Sequence, residues 1–364
     1  MKICFFDDEP EIYPLQYGGK ARTIINLATE FIKQPMIEEV TILSRSIYSK
    51  EKEFIKDGVK YISLDDNNTM SMIKKYIDAY DIMNIHCCSF TFPNINGKAK
   101  KFYFLHDVLI ATADKGSHLD KALGGNFDLV IAPSEFAKSV YDYNSSLLQI
   151  DRKCKVISRH INENLFEVIN VKKISDDKNC PNFLKNIKQN YGTVIFFPSR
   201  PIEEKGGVYL NKIISQLDSV ISNYCIIGPF SNFNDLPKNC IDTGWIESDK
   251  LKYYYSISDV TLNFSLLPES FSQICIESIY CQTPIVSFKS GNIPDLNKIT
   301  EAIILVEQDE TSIIDGIFKA IAMKKNQNRM NEEQRNIKNE FNKTKIINQY
   351  LSLYNDCLNG GIYD

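Results

Sequence analysis

An arginine and a lysine five residues apart stand in the phrase Phe197-Pro198-Ser199-Arg200-Pro201-Ile202-Glu203-Glu204-Lys205-Gly206-Gly207. The phrase follows an apolar run, and its two glycines precede a helical pattern. A guanidinium grips two oxygens at once, and an ammonium adds a compact point charge, so Arg200 and Lys205 suit a diphosphate. The plain alternative is a solvated basic turn. A second phrase, Pro268-Glu269-Ser270-Phe271-Ser272-Gln273-Ile274-Cys275-Ile276-Glu277, follows another apolar run. Ser270 or Ser272 suits a helix N-cap, which would leave the backbone N–H groups of Phe271–Gln273 open to an anion. Glu269 precedes that cap, next to any bound phosphate and within reach of an attached sugar. Glu277 falls inside a helix among Ile274, Cys275, Ile276 and Ile279, where a carboxylate needs a polar partner; ribose hydroxyls would serve. Taken singly, Glu269 could equally be an acid favoured by the helix dipole, and Glu277 an ion-paired surface acid.

The elements that position these residues are short apolar runs alternating with amphipathic stretches. Strands are expected at Lys2–Phe6, Glu39–Leu43, Lys60–Ser63, Ile82–Ile85, Lys101–Leu105, Leu129–Ala132 and Lys155–Ile157. Helical patterns between them include Ala21–Lys33, Met70–Tyr80 and Glu135–Tyr141. After a polar, lysine-rich stretch the alternation restarts, with strands at Thr193–Phe197, Tyr224–Ile227, Cys240–Thr243, Val260–Phe264, Pro284–Phe288 and Ala302–Leu305. Apolar strands alternating with helices predict parallel sheets covered on both faces. The expected fold class is thus α/β, with two Rossmann-like, doubly wound parallel-sheet domains facing a cleft. The expected boundaries are 1–166 for an N-terminal domain, 167–190 for a linker and 191–330 for a C-terminal domain. Residues 331–364 form a C-terminal helical segment, bent near Asn342-Lys343, that is expected to return to the first domain. Open α/β sheets bind ligands at the carboxyl ends of their strands, and both charged phrases begin at such ends.

Composition narrows the function further. The 364 residues carry a net charge of −4, spread evenly along the chain, with 43% hydrophobic and 24% charged residues. That balance fits a soluble globular protein and argues against a nucleic-acid partner, which would ask for a basic stripe. The first residues enter a strand directly, and no run approaches the ~20 apolar residues of a membrane span, so the cytoplasm is the expected compartment. Lys98, Lys100 and Lys101, near Phe90, Phe92 and Phe102, leave peripheral contact with the inner membrane face open; a charged loop beside core aromatics is the plainer account. Ten cysteines, including the adjacent Cys87-Cys88, form neither a zinc-ligand spacing nor a disulfide framework. No dinucleotide or P-loop fingerprint follows any strand.

The order Arg200…Lys205 followed by Glu269-x7-Glu277 resembles family 4 of the GT-B glycosyltransferases, retaining enzymes of glycosyl transferases group 1. Ile226-Ile227-Gly228, Thr243-Gly244-Trp245 and Leu251…Tyr254-Tyr255…Ser258-Asp259-Val260 resemble that family's glycine-ended strand, nucleobase loop and the helix before its next strand. In the first half, Tyr17-Gly18-Gly19, His106-Asp107 and Val130-Ile131-Ala132-Pro133-Ser134 are similar to its glycine loop, strand-end histidine and last N-terminal strand. The resemblance implies a hexosyltransferase using a nucleoside diphosphate sugar and a glycan, lipid-linked or protein acceptor. Arg200 and Lys205 would hold the diphosphate, Glu269 the donor sugar, and Glu277 the ribose. Gly244, Ser270, Phe271 and Ser272 would line the donor site, and Gly18 and Gly19 would let backbone approach phosphate and acceptor. His106 would face the reacting sugar, although His106 and His86 each also suit a structural role. Ser272 departs from the usual glycine and would set a hydroxyl beside donor or acceptor; Asp295 stands where a glutamate is usual. No cofactor or metal is expected, since no Asp-x-Asp occurs and Asp7-Asp8 end the first strand. Two other functions compete: a catalytically idle GT-B subunit that stabilises a partner or reads sugars, and a GT-B sugar epimerase.

Overall fold

The computed structural model describes residues 1–7, 18–45, 53–64, 69–86, 97–108, 122–170, 174, 176–231 and 236–360. Asp8, Tyr17, Cys87, Cys88, Phe90 and Phe92 lie outside them. The chain divides into two compact units: Met1–His160 with Lys343–Asp364, and Ile161–Asn342.

The first unit is built on eight strands: β1 (Lys2–Asp7), β2 (Glu39–Arg45), β3 (Glu53–Lys56), β4 (Val59–Leu64), β5 (Ile82–Ile85), β6 (Lys100–Phe104), β7 (Leu129–Ala132) and β8 (Cys154–Val156). They lie in the order β3-β4-β2-β1-β5-β6-β7-β8. Of these only β3 runs antiparallel to its neighbour, β4. Every residue of β5 and β7 is buried, as a strand covered on both faces requires. Helix Gly19–Phe31 presents Ala21, Ile24, Leu27, Ala28 and Phe31 to the core, the spacing of one helical face. Helix Lys343–Leu358, last in the chain, belongs to this unit. Its Tyr350 and Tyr354 pack edge-on against Phe31, and the Tyr354 hydroxyl donates 2.9 Å to Asn84 Oδ1.

The second unit holds β9 (Thr193–Phe196), β10 (Tyr224–Gly228), β11 (Cys240–Asp242), β12 (Val260–Asn263), β13 (Ile285–Phe288) and β14 (Ile303–Val306). Their order is β11-β10-β9-β12-β13-β14, and all pairs are parallel. Numbered from β9, this is the 3-2-1-4-5-6 order of a doubly wound sheet. Helices Gly207–Val220 and Glu310–Lys324 cover a core of Ile195, Phe197, Leu210, Ile226, Leu262, Val286 and Ile317. The stretch expected to be a linker contains two short helices, Asn182–Lys185 and Ile187–Asn190. The eight described cysteines are buried and unbridged, and burial pushes the Cys225 thiol up to about 12. No helix among the described residues is long and apolar enough to cross a membrane. Lys98 pairs with Asp81, and Lys100 with Asp128, while the Lys101 side chain is buried. The basic cluster is therefore balanced by neighbouring acids rather than offered as a positive patch.

Candidate functional site

In the second sheet the chain leaves β9 toward one side and β12 toward the other, so the crevice of the topological switch point lies at their carboxyl ends. Both charged phrases emerge there. Beyond β9 the chain carries Arg200, which is exposed, and then a 3₁₀ turn, Glu203–Lys205. Beyond β12 it carries Ser265 and Glu269. Lys205 Nζ donates to Glu269 Oε1 at 2.8 Å and to Ser265 Oγ at 3.4 Å. The resemblance gave these two side chains separate tasks, diphosphate and sugar; the structure brings them into one ion pair.

Two glycines make that approach sterically feasible. Gly206 has φ +76°, and a Cβ there would lie 2.3 Å from the Phe264 carbonyl oxygen. Gly291, φ +57°, passes so close to Glu269 that a Cβ would sit 2.3 Å from its carbonyl oxygen and 2.4 Å from its nitrogen. The neighbouring Asn292 N–H donates to that carbonyl at 2.8 Å. The backbone of Glu269 is thus pinned by the loop after β13.

The helix beyond Glu269 runs from Gln273 to Tyr280, with Ser272 at its N-cap. The cap differs from the expected one. Ser272 is left-handed (φ 63°, ψ 67°) and its side chain caps no backbone N–H. Its hydroxyl is turned inward, donating to Cys275 Sγ at 3.2 Å and accepting from Asn263 Nδ2 at 3.4 Å. Ser270, Phe271 and Ser272 are all buried, Phe271 edge-on against Phe341 at 5.5 Å. The Ser272 hydroxyl is thus engaged with side chains of the fold. Glu277 is also buried, at 1% exposure, which removes the surface ion-pair alternative. The Tyr255 hydroxyl donates to its Oε2 at 3.1 Å, the partner a carboxylate needs there.

Beyond β11, Gly244 has φ +59° and open space where a Cβ would go. Its N–H and that of Phe230 donate to Asp242 Oδ1 at 2.8 and 2.7 Å, and the Ser231 hydroxyl to Oδ2 at 3.0 Å. Burial raises the Asp242 pKa, but these donors outweigh it and hold the carboxyl below its usual value. Asp242 thereby shapes the loop that bears the exposed Trp245. Sequence reasoning missed Asp242 and the role of Tyr255. An acid ending a strand two residues before a glycine was the available sign for the first; the second depends on tertiary packing.

Gly18, Gly19 and His106 belong to the first unit. Gly18 is the N-cap of helix Gly19–Phe31, and its carbonyl accepts from Arg22 N at 3.0 Å. The adjacent Lys20 donates to the buried Asp7 Oδ1 at 2.8 Å, a pairing not foreseen from sequence. His106 follows β6. Its Nε2 lies 2.7 Å from His86 Nδ1, and its Nδ1 lies 3.0 Å from Arg159 Nη2.

Residues 181–337 match the family described as Glycosyl transferases group 1. No curated protein matches the sequence. Among solved structures, a sucrose-phosphate synthase from Thermosynechococcus elongatus is 15% identical with a TM-score of 0.73, covering 99% of this chain and 100% of its own. Anabaena HepE, solved with UDP and glucose, is 16% identical with a TM-score of 0.71, over 98% and 100%. A glycosyltransferase from Rickettsia africae is 18% identical with a TM-score of 0.69, over 98% of each chain. At these identities the likeness to the solved structures is one of fold, and it spans both units; the family match falls on the unit that carries Arg200, Lys205, Glu269 and Glu277. Residues 181–337 thus match the glycosyl transferases group 1 family, within a chain that has the fold of these solved structures.

Proposed function

We propose that the chain moves a hexose from a nucleoside diphosphate sugar to a glycan, lipid-linked or protein acceptor, with retention of configuration and without a divalent metal. The observation that carries this is the Lys205–Glu269 pair at the β9/β12 switch point, with the exposed Arg200 on the same loop. An ammonium already held by a carboxylate can bridge it to a diphosphate, leaving the second carboxylate oxygen for sugar hydroxyls. Arg200 meets the diphosphate bidentately. As the leaving group gains negative charge, Arg200, Lys205 and the start of helix Gln273–Tyr280 stabilise it, the task a metal performs elsewhere. Glu277 serves the ribose, whose hydroxyl shares or replaces the Tyr255 phenol. His106 is the histidine that the resemblance assigns to the reacting sugar. UDP-glucose is the first donor to try, because HepE was solved with it.

The test is transfer from UDP-glucose, and from GDP- and ADP-sugars, to a panel of acceptors, with the product's anomeric configuration read by NMR. Turnover in excess EDTA equal to that with Mg²⁺ or Mn²⁺, and a product of the donor's configuration, are expected. Activity lost in EDTA and restored by either ion would overturn the metal-free mechanism; an inverted product would overturn retention. Nucleotide binding with neither transfer nor hydrolysis across the panel would favour a non-catalytic subunit.

A further inference from the structure

The carboxyl end of β12 buries an amide where an apolar side chain would pack. Asn263, the last residue of that strand, is 1% exposed and lies in register with Ser287 of β13. Its Nδ2 donates to Ser272 Oγ at 3.4 Å, to Ser287 Oγ at 3.3 Å and to Cys275 Sγ at 3.8 Å. Its Oδ1 is buried and has no hydrogen-bond partner among the described residues, an arrangement that costs stability. Ser287 does not depend on the amide, because its hydroxyl donates to the Asn263 carbonyl at 3.0 Å. Ser272 is a different case. A serine at an N-cap ordinarily takes extended backbone angles and accepts from the second or third N–H of its helix. Here it is left-handed, its hydroxyl lies between Asn263 and Cys275, and its side chain caps no N–H. The Ser272 carbonyl instead accepts from Cys275 N at 3.2 Å.

We propose that Asn263 is a positioning residue for the diphosphate: by holding the Ser272 hydroxyl inward, it keeps helix Gln273–Tyr280 from being capped by its own serine. Two states of Ser272 compete. In the extended one the hydroxyl caps the Ile274 or Cys275 N–H and takes the place of a phosphate oxygen. In the left-handed one the start of the helix stays open to an anion. Left-handed backbone is unfavourable for serine, so the contacts of the amide hold it there. Asn263, Ser272 and the helix lie in one compact unit with Arg200, Lys205 and Glu269. The proposal rests on the functional reading above for the ligand it serves; the hold of Asn263 on Ser272 does not.

A double-substitution cycle, read by calorimetric titration of UDP, GDP and ADP, tests this. Asn263→Val, which suits a buried strand, should weaken the nucleotide that the wild type binds by about fivefold or more, the worth of one cap. In a Ser272→Gly background, where no hydroxyl can cap, the same substitution should change affinity by less than about twofold. Equal weakening in the two backgrounds would assign the effect to packing and overturn the proposal. So would unchanged affinity in the first. Hydrogen exchange at the Ile274 and Cys275 amides reads the cap without any nucleotide. One of the two should slow by about fivefold in Asn263→Val, and neither in Asn263→Val combined with Ser272→Gly. If the wild type binds none of the three nucleotides, the functional reading falls, and exchange still decides whether Asn263 withholds the cap; rates unchanged in Asn263→Val would show that it does not. If Asn263→Val does not fold, Asn263→Ala, which adds no bulk, takes its place in the same cycle.

Discussion

Ser272 shows what one residue type can and cannot reveal. A serine before a helix announces an N-cap, and the helix does begin one residue later. The direction of its hydroxyl depends on φ, which the residue type leaves open. At φ 63° a side chain crowds its own backbone, and here the hydroxyl enters a buried cluster with Cys275 and Asn263. Replacing Ser272 by Gly or by Ala removes the same hydrogen bonds, but only glycine also relieves the left-handed backbone. Ser272→Gly should therefore be more stable than Ser272→Ala by about 1 kcal/mol in urea unfolding. Equal stabilities would show that the strain is absent. Arg200, Lys205 and Glu269 were legible as charges following strand ends. That the last two form an ion pair was not, because it needs the strand order that makes β9 and β12 neighbours. Glu277 was legible as a carboxylate in need of a partner, but its partner Tyr255 lies on another helix.

At the scale of elements, parallel strands announced themselves as unbroken apolar runs, and thirteen expected strands correspond to observed ones. The miss was β3, Glu53–Lys56, which is largely exposed and carries charges at both ends. Its sign was the Asp57-Gly58 turn, both residues at positive φ, the kind of pair that joins two antiparallel strands. The long terminal helix pattern is two helices, Gln327–Glu340 and Lys343–Leu358, parted near the bend that Asn342-Lys343 suggested. Loops were the least legible elements, since their course follows close approaches rather than periodicity. The approach of Gly291 to Glu269 makes a sharp case. Gly291→Ala adds a Cβ within 2.4 Å of two Glu269 backbone atoms at a φ that alanine resists. It should cost about 1–3 kcal/mol of stability and, by displacing the Glu269 carboxylate, lower transfer more than nucleoside diphosphate binding. A variant that loses both equally would show that the loop supports the whole site rather than Glu269.

At the scale of the molecule, the two alternations of strand and helix foretold two sheets, and the chain's apolar helical end sits with the first unit through Tyr350 and Tyr354. That unit contains His160, nearly fully buried, whose pKa burial pushes down to about 4. Unfolded, the ring titrates near 6.5. Stability due to the neutral buried ring is complete above about pH 6.5 and is lost as pH falls toward 4, because only the unfolded chain takes up the proton. The loss should be of the order of 3 kcal/mol. His160→Gln should unfold with a shallower dependence over that window; an unchanged slope would assign the acid sensitivity to other groups. The central claim, however, concerns the second unit: a nucleoside diphosphate held at the β9/β12 switch point by Arg200 and Lys205. Its most direct test is calorimetric titration of UDP, GDP and ADP into the wild type, Arg200→Ala and Lys205→Ala. The wild type should bind one of the three, and each substitution should weaken that nucleotide by about 1.5–3 kcal/mol, the worth of a charge-assisted hydrogen bond. Affinity unchanged in both variants would contradict the account and place the donor elsewhere.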